Sequence, residues 1–265
     1  MRISLVTFLS MLLVIIGCGK KEQGNHLDEI KQRGVLMVGM STFVPWAMND
    51  KEGNLVGFEI DVAKELAKDM GVKVEFVPTK WSGIIPALLT GKFDVIIGGM
   101  GITDERAKKV DFSEPYDYSG MSIVASRLKA PGLKKLSDFD NSKISIAVRL
   151  GTTAAESAKK NFPNAQLKQF DDEAQAVQEL LTDRVHAVVS SSPLPEYQAI
   201  KYSDRFYLPL DDTFTKEPIG FALRKGDDSL KEYCNEWIKE KHTSGFLKEK
   251  KHYWFKTRDW ENMVE

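Results

Sequence analysis

The sequence predicts an α/β protein of two lobes, and three observations carry that expectation. Short apolar strand patterns alternate with amphipathic helix patterns along most of the chain, the arrangement that builds mainly parallel sheets flanked by helices. This β-α-β-α-β run occurs twice, at similar length in each half. The two runs also match in letters: PALLTGKFDVIIGG at residues 86–99 aligns without a gap with QELLTDRVHAVVSS at residues 178–191.

Composition sets the outer bounds. The chain has 265 residues, 42% hydrophobic and 28% charged, enough for one large or two modest lobes. A net charge of −1, with no basic face interleaved with aromatics, argues against a nucleic-acid partner. After Met1-Arg2 comes an apolar run over residues 3–16, short for a membrane span and suited to the core of a signal peptide. It ends in Ile15-Ile16-Gly17-Cys18, which resembles a bacterial lipobox. Residues 1–17 are therefore expected to be a lipoprotein signal peptide, Cys18 the lipidated residue, and residues 18–33 a tether to the membrane. The plainer alternative is a simple signal peptide with an incidental cysteine. Cys234 would then be the only thiol of the mature chain, at helical spacing from Leu230 and Trp237, and no intramolecular disulfide is expected. His26, His186, His242 and His252 are scattered, so neither a metal site nor a cofactor is predicted.

The elements follow in order. Residues 34–40 read as a strand, 41–46 as a loop and 50–54 as a turn. GFEIDVAKELAKDM at 57–70 becomes an amphipathic helix stopped by Gly71. Residues 72–77 form a strand, 81–90 a helix with Pro86 in its first turns, and 93–97 a strand. In the second half, strands at 143–148, 166–170 and 185–189 enclose helices at 151–160 and 173–182. The tail reads as a strand at 219–223 and helices at 228–242 and 244–250. The chain crosses between lobes near 115–121 and 215–220, and paired crossings suit a hinge. The expected lobes are residues 34–119 with 220–258, and residues 120–219. The loops at 41–46, 98–103, 150–153 and 190–193 all lie at the carboxyl ends of strands, where ligands bind in such sheets.

The stretch KFDVIIGGMGITDERAKKVDFSEPY, residues 92–116, concentrates the chemistry. A strand breaks into Gly98-Gly99-Met100-Gly101, which exposes backbone N–H groups, and Thr103 is placed to cap a helix that carries Arg106. That is a plausible grip for a small anion. A solvated surface arginine is the plainer reading.

With GFEIDVAKELAKDMGVKVEFVP, WSGIIPALLTGKFDVIIGGMGIT, ERAKKVDFSEPY, GTTAAE and EPIGFALRKGD, the chain from about residue 34 to 255 resembles the amino-acid-type extracellular solute-binding proteins of ABC transporters. The resemblance implies a two-lobed periplasmic-binding-protein-like clamshell, at the cell surface or in the periplasm, monomeric, and serving permease subunits. It implies that Arg106 pairs with a ligand carboxylate, suited by its bidentate geometry. Thr153, with Thr152 beside it, would close on that carboxylate from the second lobe. Backbone N–H groups near Gly99 and Gly101 would complete the grip. Phe43 and Trp81 would sandwich the ligand, though core packing serves equally for Trp81.

Two departures from the family pattern stand out. Gly101 replaces a frequent serine or threonine. Ser191 stands where amino-acid binders usually carry an aspartate for the ligand ammonium, and a neutral serine cannot offset the desolvation of that cation. Either Glu196, Glu217 or Asp61 takes over, or the ligand is not an ordinary α-amino acid. The second alternative keeps open an enzyme of the same fold, resembling cyclohexadienyl dehydratases, with Glu196 or Glu217 as acid. A ligand-sensing domain for a membrane signalling protein is a further alternative.

Overall fold

The computed structural model describes residues 25–264, so the leader and Cys18 lie outside the described residues. The first helix, α1 (His26–Arg33), corrects the expectation that a tether extends to residue 33. Its Ile30 is fully buried in the first lobe's core. Gly34 ends it at φ 71°, a left-handed conformation open to a residue without a Cβ.

The first lobe continues with β1 (Val35–Met40), β2 (Met48–Asn49), β3 (Leu55–Val56), α2 (Phe58–Met70) and β4 (Lys73–Pro78). A 3₁₀ turn, Trp81–Gly83, leads into α3 (Ile84–Leu89), then β5 (Val95–Ile96), α4 (Asp104–Ala107) and β6 (Asp111–Phe112). The crossing strand β7 (Asp117–Ser119) opens the second lobe: β8 (Met121–Ser126), α5 (Leu136–Phe139), β9 (Ser145–Arg149), α6 (Thr153–Asn161), β10 (Gln166–Phe170), α7 (Glu173–Leu181), β11 (Ala187–Ser191), α8 (Leu194–Lys201) and β12 (Phe206–Tyr207). The chain returns through β13 (Glu217–Ile219) to β14 (Ala222–Leu223), α9 (Asp228–Thr243), α10 (Phe246–Lys256) and α11 (Glu261–Val264).

Each lobe is built on one five-stranded sheet, ordered β4-β1-β5-β14-β6 and β10-β9-β11-β8-β12. In each, the first three strands are parallel, while β14 and β8 run antiparallel to both neighbours. The expected mainly parallel sheets are therefore mixed, and the crossings explain why. A strand that enters a lobe from a crossing starts at the edge where the parallel strands end, so it must run the opposite way. The internal repeat has a structural counterpart, since β5 and β11 occupy the same third place in their sheets.

The two crossings pair with each other. β7 and β13 form an antiparallel ribbon with Ser119 opposite Glu217 and Asp117 opposite Ile219. The first lobe's core also reaches past residue 258. Trp260 is 1% exposed, and its Nε1 donates to the Trp254 carbonyl at 3.0 Å.

Candidate functional site

Thr103 caps α4, its Oγ1 accepting the Arg106 N–H at 3.3 Å. The short helix turns Arg106 inward rather than to solvent, leaving its residue 8% exposed. One terminal nitrogen donates to the Gly101 carbonyl at 2.9 Å, the other to the Gly151 carbonyl of the second lobe at 3.2 Å. Burial lowers the Arg106 pKa, opposed by the nearby carboxylates of Glu156, Glu217 and Glu105. The solvated-arginine alternative does not hold: this cation sits where the lobes meet. Trp81 adds a second tie, its Nε1 donating to the same Gly151 carbonyl at 3.1 Å.

The glycine loop above Arg106 is shaped by what presses on it. Gly99 has φ 68°, and a Cβ there would lie 3.2 Å from Trp46 and 3.4 Å from Phe43. Its N–H, expected to face a ligand, instead donates to the Tyr116 hydroxyl at 3.3 Å. That hydroxyl in turn meets both carboxyl oxygens of buried Glu59. Gly101 is different. A Cβ there would meet Glu217 Oε2 at 3.2 Å, Thr153 Cγ2 at 3.5 Å and an Arg106 terminal nitrogen at 3.6 Å. Glu217 is brought there by the crossing ribbon, which continues as a bridge between Gly101 and Ile219.

On the second lobe, Thr152 is the cap of α6, accepting from the Ala155 N–H at 3.2 Å and donating to the Arg149 carbonyl at 2.7 Å. Thr153 is the first helical residue and faces Gly101. Ser191 ends β11, partly buried, with its Oγ 3.9 Å from the Met121 sulfur. Among its possible replacements, Asp61 is taken up elsewhere, accepting from Trp254 Nε1 at 3.0 Å and pairing with Lys250 at 3.3 Å. It does not cap α2, whose N-cap is Gly57.

Phe43 and Trp81 are both buried, at 8% and 6% exposure, and face a common guest. The guanidinium carbon of Arg149 lies 5.1 Å from the Phe43 ring centre and 4.9 Å from that of Trp81. Arg149 ends β9, is 3% exposed, and reaches Ser41 Oγ and the Thr42 carbonyl of the first lobe at 3.4 Å each. Its Nε lies 3.5 Å from Glu173 Oε2 at the start of α7. Sequence reasoning missed both residues. The available signal was an arginine closing the apolar run KISIAV just before Gly151-Thr152-Thr153.

A fold of two α/β lobes joined by a paired crossing, with a buried arginine and an aromatic slot where they meet, defines a receptor that closes on a small solute. The chain matches the bacterial extracellular solute-binding proteins, family 3, over residues 36–257, and it belongs to that family. It is similar to the L-cystine-binding protein TcyJ of Escherichia coli, 32% identical over 230 residues that cover 86% of this chain and 85% of that one. Its fold is similar to the ancestral amino acid-binding protein AncCDT-1, a precursor of cyclohexadienyl dehydratase, at 44% identity and TM-score 0.79, covering 87% of this chain and 99% of that one. An ancestral arginine-binding protein bound to arginine is similar at 40% identity and TM-score 0.78, covering 84% and 99%. These relatives are solute-binding proteins, and the chain, as a member of the same family, is a substrate-binding protein.

Proposed function

We propose that this protein captures an α-amino acid between its lobes and delivers it to the permease of an ABC importer, held at the outer face of a bacterial membrane by lipid on Cys18. The observation that carries the ligand class is Arg106, buried at the lobe junction with its nitrogens on one backbone carbonyl from each lobe. A carboxylate entering there would meet a desolvated, fork-shaped donor, the geometry that favours bidentate pairing. The hydroxyl of Thr153 and the N-terminus of α6, which Thr152 caps, would add dipolar support from the other side. Phe43 and Trp81 would flank the ligand's side chain once the Arg149 guanidinium, which lies between the two rings, gives way to it.

The ammonium is assigned to Glu217. Its Oε2 stands beside Gly101, Thr153 and Arg106, a carboxylate next to the proposed carboxylate grip. The two departures from the family pattern then explain each other: the side chain absent at Gly101 leaves room for the charge absent at Ser191.

The test is binding measured by thermal shift for each α-amino acid beside a carboxylate of like shape without the amine. Ligand at about 100 times its dissociation constant adds roughly 2.7 kcal/mol of stability. Amino acids should stabilise the protein and Arg106→Ala should remove the effect while the variant remains folded. An Arg106→Ala protein that binds as before would overturn the assignment. Radiolabelled palmitate incorporated by the full chain and not by Cys18→Ala would establish the anchor.

A further inference from the structure

Arg149 stands where a solute's side chain would go. Its guanidinium carbon is 5.1 Å from the Phe43 ring centre and 4.9 Å from that of Trp81, so a side chain of the protein itself fills the aromatic slot. Stacking and charge hold it there more than close hydrogen bonds do. One terminal nitrogen reaches Ser41 Oγ and the Thr42 carbonyl at 3.4 Å each, the long end for such bonds. Its Nε is buried without a hydrogen-bond partner, 3.5 Å from Glu173 Oε2. A second cation uses the same indole: the Arg106 guanidinium carbon lies 5.8 Å from the Trp81 ring centre, and the two like charges oppose each other.

A flat cation between two aromatic faces is well placed, but this one is desolvated and short of acceptors, which is costly. Burial lowers its pKa, and the carboxylates of Glu173 and Asp172 oppose that shift. Both stand where α7 begins, Asp172 as its N-cap and partly exposed, Glu173 buried. They give the guanidinium a place to turn to without losing its counter-charges. We infer that Arg149 is an intramolecular occupant of the side-chain slot, a built-in competitor that a solute must displace, and that it thereby sets selectivity. An amino acid enters the slot only if its side chain interacts with the two rings well enough to replace a guanidinium. Glycine has no side chain to place there and leaves Arg149 between the rings. This deepens the amino-acid reading above and rests on it.

The test reads Arg149 directly in the isotope-labelled native protein. Stacked between two rings, its Nε–H should give a ring-current-shifted NMR resonance, assigned by its loss in Arg149→Lys. Glutamine, histidine or arginine, whichever calorimetry shows to bind tightest, should move that resonance to the position of an unstacked arginine. Glycine at the same concentration should leave it ring-shifted. A resonance that stays ring-shifted with the larger solute would overturn the inference, and so would one that glycine displaces or one that is unshifted in the protein alone. Arg149→Ala with Glu173→Gln removes the occupant without leaving a lone buried charge. This double variant should bind the same solute roughly tenfold tighter. Unchanged or weaker binding by the folded double variant would also overturn the inference while leaving the amino-acid reading in place. Binding of no amino acid by the native protein would overturn both.

Discussion

Glu59 and Tyr116 are joined in the core directly beneath the glycine loop, the phenol oxygen 2.8 and 2.9 Å from the two carboxyl oxygens. Burial pushes the Glu59 pKa up to about 8, the tyrosine bond only partly opposing it. The folded chain thus holds a proton on Glu59 that the unfolded chain releases near pH 4.5. Stability from this group is full below that pH and falls as pH rises through about 8, by up to about 1.4 kcal/mol per unit. Glu59→Gln keeps a neutral acceptor for the phenol and removes the titration. In urea unfolding the variant should gain on the native protein by a few kcal/mol between pH 5 and pH 8. An equal difference at both pH values would show that Glu59 is not held neutral.

His26 presents the opposite chemistry with the same sign. Its ring nitrogens meet Asp227 and Asp94, the latter at 3.1 Å, and Arg224 also approaches both nitrogens. The bonds to Asp227 and Asp94 outweigh burial and the Arg224 charge, raising the His26 pKa from 6.5 to about 9. The protonated ring ties α1 to the turn before β5 and to the start of α9. That contribution is full below pH 6.5 and is lost as pH rises through about 9. His26→Ala should cost on the order of 2 kcal/mol at pH 6, and clearly less at pH 9.5. A cost that does not shrink with pH would mean that the pairing is not ionic.

The unequal legibility of the chain has physical causes. The setting of Arg106 was readable, because Thr103, Asp104 and Glu105 spell a helix start and three glycines mark the loop before it, but its inward turn was not, since those residues suit a solvated arginine equally well. The repeat made two lobes readable, since two matching sheet units need two sheets. α1 was not readable: HLDEIKQR offers only Leu27 and Ile30 to a core, and its anchoring ion pairs come from residues far along the chain. Glu59 was hidden for a related reason, because a helix buried on several sides at its start gives no periodic signal for one carboxyl among apolar neighbours. Arg149 was hidden because a charge closing an apolar strand reads as a strand end. Only the approach of Phe43, Trp81 and Glu173 from three other segments reveals its burial.

Gly101 and Glu217 offer the sharpest test of how this site differs from its relatives. A Cβ at position 101 would stand 3.2 Å from Glu217 Oε2, and a serine hydroxyl beyond it would crowd the carboxylate further. Gly101→Ser should therefore displace Glu217 and weaken amino-acid binding by roughly tenfold, about 1.4 kcal/mol. Glu217→Gln should do more to discrimination than to fold, because Gln preserves the ribbon while removing the charge that a buried ammonium needs. In that variant an amine-free carboxylate should bind about as well as its amino acid. Adding Ser191→Asp to Gly101→Ser installs the carboxylate at the place the family uses and should recover most of the lost affinity. Calorimetry on the three variants and the native chain decides the matter: if Glu217→Gln discriminates the amine as sharply as the native chain, the ammonium is held elsewhere, and Glu196, whose Oε2 is buried without a hydrogen-bond partner, becomes the residue to change next.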